Sequence, residues 1–92
     1  MDLDESKLSI EKRVGIMPHI TVKLWPGRSE EKKRNLAEKI AKDVSEELQV
    51  DIGHVSVSFE EVSREDWEKD VYNKEIRNNE QNLYFKPNYN YD

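Results

Sequence analysis

Chemistry in this chain has few places to start. There is no cysteine, which removes thiolate nucleophiles, thiolate zinc sites and disulfide frameworks. Three glycines are too few for a glycine-rich phosphate loop, no Ser/His/Asp or Cys/His set can be argued, and the carboxylates are spread over solvated faces. His19 and His54 open two strand-like segments. Strand-end histidines are ordinarily partly exposed packing, so no metal and no cofactor are expected. What remains is Met17-Pro18. A proline at the first position of a strand is structurally natural, because it has no N–H to give the ladder. If the chain began at Pro18, that residue would instead carry a free secondary amine. An α-amino group titrates near neutrality already, and apolar surroundings beside a cation such as Arg28 lower it by on the order of 1–3 units. It would then be unprotonated and able to act as a general base.

The elements that would position such a group are legible from spacing. In His19-Ile20-Thr21-Val22-Lys23-Leu24-Trp25, the residues Ile20, Val22 and Leu24 fall on one face and the polar residues with Trp25 on the other, which is a strand. Pro26-Gly27 stops it. Ser29 is a good N-cap, Glu30 and Glu31 suit the first turn, and Leu36, Ala37, Ile40, Ala41, Val44 and Leu48 recur at helical spacing, so an amphipathic helix is predicted over 29–48. Asp51-Ile52-Gly53 supplies a turn, after which Val55, Val57 and Phe59 alternate with Ser56, Ser58 and Glu60 in a second strand. Strand, helix, strand is a βαβ unit with parallel strands. Ser63 caps a short helix through Trp67 and Val71, and the chain closes on QNLYFKPNYNYD, whose structure the pattern does not decide.

Composition bounds the assembly and the partners. Ninety-two residues form one domain at most, and 35% hydrophobic against 38% charged residues is apolar-poor beside the usual roughly 45–50% and 25%. Two strands and one long helix cannot bury a core alone, so a second copy is expected to cover the unit. The net charge of −5 opposes attraction to phosphate backbones or anionic lipid, so neither nucleic acid nor membrane is expected as a partner. The longest apolar run, Val14-Gly15-Ile16-Met17, draws no signal peptide or spanning helix, and the expected address is cytoplasmic. Residues 1–16 are mostly polar with isolated Leu3, Leu8, Ile10 and Val14, and read as a loosely held extension to a domain over 17–92.

The stretch MPHITVKLWPGRSEEKKRNLAEKIAKDVSEEL followed by HVSVSFEEV resembles the 4-oxalocrotonate tautomerase family, small βαβ proteins that use an amino-terminal proline as catalytic base. The specific parts are the proline opening strand one, the run from Gly27 to Lys33, and the second strand starting after a short turn. The MPHI start, Trp25-Pro26, Trp67 and KPNY near the end are further similar to the dimeric PptA-type branch. The resemblance implies an α+β protein whose βαβ subunits join, as a homodimer, into a four-stranded sheet. It implies a keto-enol tautomerase of small 2-hydroxy-dienoate or phenylenolpyruvate-like acids, with Pro18 moving a proton between an enol oxygen and a carbon.

On the same resemblance, Arg28 matches the first substrate-binding arginine, and a planar fork on a carboxylate suits it. Trp67 stands for the pocket-wall phenylalanine, and His19, beside the base, is placed to hydrogen-bond substrate. Each has a plainer alternative: Arg28 solvated after a turn, Trp67 in the core, His19 on a strand face. The family's second arginine falls at Ser56, which puts a diacid substrate in question. The extension matters more, since Pro18 inside a longer chain is a tertiary amide without a basic lone pair. Either translation starts at Met17, behind purine-rich codons for Glu11-Lys12-Arg13-Val14, or the protein keeps the fold without its chemistry as a binding or assembly module. Hydration or dehalogenation of unsaturated acids is a third outcome.

Overall fold

The computed structural model describes residues 16–91; all but the last residue of the extension lies outside them. Strand β1 spans His19–Leu24, helix α1 Glu30–Leu48 and strand β2 Ser56–Glu61, with a 3₁₀ turn at Ile52–His54. The two strands pair directly. Their register is read at the two ends: Ser56 N donates to Pro18 O at 3.2 Å and Val62 N to Leu24 O at 2.9 Å, and the same sequence separation at both ends marks parallel pairing. The α+β, βαβ reading therefore holds. His54 differs in detail, since it closes the 3₁₀ turn two residues before β2 instead of opening the strand.

Helix α1 begins where its sequence says it should. Ser29 is extended (φ −70°, ψ 159°) and its hydroxyl accepts from Lys32 N at 3.1 Å, satisfying one of the donors a helix start leaves open. Glu30 lies against Lys33 one turn on, 2.9 Å apart. The hydrogen bond from Lys33, and then its charge, hold the Glu30 carboxyl below its ordinary value. A lowered carboxylate stabilises the fold above its unfolded pKa, and that contribution fades as pH falls through the lowered value. At the far end Gln49 takes the left-handed conformation (φ 56°, ψ 50°), and Ser45 O accepts from the backbone N–H of both Gln49 and Val50. The Ser45 hydroxyl adds a bond to Val50 O at 2.6 Å.

The short helix capped by Ser63 is longer than expected. α2, Arg64–Trp67, runs on as π-helical turns over Glu68–Ile76 and as 3₁₀ turns over Arg77–Asn82. The chain divides into two compact units, one holding the described part of Met1–Val22 with Arg28–Glu60, the other Lys23–Gly27 with the described part of Glu61–Asp92. Among the described residues the buried hydrophobic ones are Val50, in the first unit, and Val71 and Tyr72, in the second. On α1 and the turn after it Leu36 (43% exposed), Leu48 (49%) and Ile52 (54%) stay open to solvent, so a large part of the apolar stripe is uncovered within one chain. No helix among the described residues is long and apolar enough to cross a membrane.

Removing the cap with Ser29→Ala should lower stability in urea unfolding by about 1 kcal/mol. Gln49→Gly, which relieves the left-handed strain at the other end, should raise it by up to roughly 1 kcal/mol.

Candidate active site

In the first unit the site candidates gather at the start of β1. Pro18 is half-buried, and its carbonyl is fixed by Ser56 N. His19 faces the opposite side of the strand from Ile20 and meets Ser56 a second time, Nδ1 to Oγ at 2.6 Å. His19 Nε2 lies 3.2 Å from Thr21 Oγ1, which is 3.1 Å from Ser58 Oγ. Four side chains from two strands thus make one hydroxyl–imidazole ladder on the exposed face. The structure brings Pro18, His19 and Ser56 together, and both ring nitrogens of His19 have partners. Only the adjacency of Pro18 and His19 was visible beforehand, because which residues of β2 stand across from them depends on strand register.

Arg28 is exposed on the turn between β1 and α1. It follows Gly27, whose φ of 126° is closed to residues with a side chain; a Cβ there would meet nothing within 4 Å, so the requirement is conformational and not steric crowding. A cleft of about 310 Å³ runs between α1 and β2, lined among others by Glu30, Lys33, Arg34 and Phe59.

The second unit holds Trp67. Its ring meets Trp25 edge to face, centroids 6.5 Å apart, and Arg64 sits 4.8 Å over the Trp25 ring. With Lys23, Leu24, Tyr89 and Tyr91 the two indoles line a cleft of about 400 Å³. Lys23 is ion-paired with Glu75. Trp67 is therefore a cleft wall here, and it is half-buried, not core. The tail residues Tyr89 and Tyr91 were not singled out from sequence; the alternation in Asn88-Tyr89-Asn90-Tyr91, which puts both rings on one side of an extended chain, was the available signal.

A family model described as tautomerase enzyme matches residues 18–69, more than half of the chain, and the match opens at Pro18. The chain is 38% identical over 73 residues to a probable tautomerase of Xylella fastidiosa, covering 79% of this chain and 89% of that one. It is 37% identical over 76 residues to the tautomerase PptA of Pectobacterium atrosepticum, covering 82% of this chain and the whole of that one. Similarity to a 2-hydroxymuconate tautomerase of Bacillus subtilis is 39% over 49 residues, 53% of this chain and 79% of that one. A βαβ unit that opens on a proline and carries this match defines a small tautomerase-type enzyme. The chain belongs to the tautomerase family and is PptA-like within it.

Because only glycine takes the backbone angle before Arg28, Gly27→Ala should destabilise the protein by on the order of 1–3 kcal/mol in urea unfolding, although the added methyl touches nothing.

Proposed function

We propose that the protein interconverts the enol and keto forms of small 2-hydroxy-dienoate or phenylenolpyruvate-like acids, with Pro18 as general base when it is the amino terminus. The observation that carries this reading is the family match opening at Pro18, at the residue whose carbonyl Ser56 N pins to the start of the sheet. The free secondary amine takes the proton of the enol hydroxyl; the oxygen lone pair forms the C=O, the C=C electrons shift to carbon, and that carbon receives the proton back from the ammonium. The proton count is unchanged, and neither an oxidant nor a metal is needed.

Arg28 holds the substrate carboxylate by its planar fork. His19 hydrogen-bonds the substrate beside the base, and Trp67 matches the apolar pocket wall of the family pattern. Ser56, standing where the family pattern has its second arginine, favours monoacids over diacids. The enzyme works as a cytoplasmic homodimer, which the uncovered Leu36 and Leu48 support.

The decisive comparison is between a chain beginning at Pro18 and the 92-residue chain, assayed for ketonisation of phenylenolpyruvate by ultraviolet absorbance with intact mass checked. The shorter chain should turn over and the longer should be slower by at least the 10²–10⁴-fold that general base catalysis supplies. Pro18→Ala in the shorter chain should lose activity likewise, and activity should fall as acid protonates the amine. Equal rates in the two chains, without trimming, would assign the proton to another group. A dead but folded, dimeric Pro18 chain would favour a binding module, and release of halide or addition of water would favour the hydratase or dehalogenase outcome.

A further inference from the structure

The row formed by Ser56, His19, Thr21 and Ser58 lies on the exposed face of β1 and β2, in the same unit as Pro18. Both ring nitrogens of His19 are engaged in it, so a substrate that bonds His19 has to displace one partner. The two partners are not equivalent. Ser56 Oγ lies 2.6 Å from Nδ1, and the backbone N–H of the same residue donates to Pro18 O at 3.2 Å, so Ser56 holds both the ring and the residue before it. Thr21 Oγ1 lies 3.2 Å from Nε2, at the long end of the usual range, and is also 3.1 Å from Ser58 Oγ. Released from His19, Thr21 still has Ser58.

We infer that Ser56 is a positioning residue for the reaction and that Thr21 is the partner a substrate replaces: Ser56 donates to His19 Nδ1, the ring proton stays on Nε2, and a carboxylate or carbonyl oxygen of the substrate takes that N–H over from Thr21. The inference rests on the tautomerase reading, in which His19 hydrogen-bonds substrate beside the base. Proton counting selects the direction. A neutral imidazole has one N–H and one bare nitrogen, so its two contacts run in opposite senses. With Ser56 donating, the row reads Ser56 O–H to Nδ1, Nε2–H to Thr21 and Thr21 O–H to Ser58, and every contact has one donor and one acceptor. The reverse order satisfies the row equally but presents a bare Nε2, which the lone pairs of an acid's oxygen cannot use. Ser56 thus chooses the tautomer, and Thr21 keeps the donor occupied until substrate arrives.

Imidazole nitrogen NMR reads the tautomer directly, with His54→Gln assigning the other histidine. At about pH 8.5, roughly two units above the ordinary histidine value, His19 should carry its proton on Nε2. Ser56→Ala keeps the backbone bond to Pro18 and removes only the hydroxyl; in the chain beginning at Pro18 it should raise KM for phenylenolpyruvate about fivefold and leave kcat within about twofold. Ser56→Thr, which keeps a hydroxyl on a residue that strands favour, should restore KM. In a His19→Ala background Ser56→Ala should change nothing further, because the hydroxyl acts only through the ring. Thr21→Val removes the competitor and should lower KM about threefold. A His19 proton on Nδ1, the same loss from Ser56→Ala with and without His19, or a KM raised by Thr21→Val overturns the inference. Binding separates it from the catalytic reading. Phenylpyruvate titrated into the Pro18→Ala variant should move the His19 Nε2 signal saturably, with Kd about threefold lower when Thr21→Val is added. That result holds the assignment of Ser56 and Thr21 even where Pro18→Ala turns over at the full rate and the base assignment falls; absence of a saturable shift overturns it.

Discussion

A parallel pair of strands constrains everything around it, because the chain must return the full length of the first strand before the second can begin. Here that return is α1. Six residues of β1 advance about 20 Å, and the nineteen of α1 cover about 28 Å, enough to travel back beside the strand and leave room for the turns at either end. The caps at Ser29 and Gln49 fix where the return starts and stops. The constant register from Pro18–Ser56 to Leu24–Val62 follows from that length. A shorter helix would slide β2 along β1 and take Ser56 away from Pro18.

The period-two geometry of the strands then sorts chemistry from packing. Ile20 and Val22 lie on one side of β1. His19 and Thr21 lie on the other and join Ser56 and Ser58 in a line of hydroxyl and imidazole bonds. Polar groups that satisfy one another across a strand pair hold their neighbours in place with little dependence on salt. The start of β1 is thereby tied down twice, through the backbone carbonyl of Pro18, on which the proposed chemistry depends, and through the side chain of His19 beside it.

Most of this architecture was legible in the residues themselves. Ser29, the acidic first turn and the Leu36-to-Leu48 spacing locate α1 to within a residue, because helix ends and amphipathic faces are local properties. Pro18 stood out from the residue types and Arg28 and Trp67 from the resemblance, and all three positions fall inside the matched span, which carries no residue roles of its own. The ladder from His19 to Ser58 was hidden, since it depends on strand register and not on any one segment. The continuation of α2 through Asn82 was also hidden, for Glu68–Ile76 has no strong stripe and its winding is set by packing around Val71 and Tyr72. The tail gave little because its order comes from aromatic contacts made at long range by Tyr89 and Tyr91.

The π-helical run over Glu68–Ile76 bears on how such a chain can change length. Each wide i→i+5 turn holds one residue more than an α turn would, at the expense of poorer packing along its axis. Val71 and Tyr72, the buried hydrophobic residues of this unit among those described, lie inside the run, so a residue lost or gained there would turn Tyr72 away from Tyr89 and Tyr91. The segment between Trp67 and the tyrosine tail is therefore a spacer of fixed count, whose length sets the direction of the ring on which the tail packs.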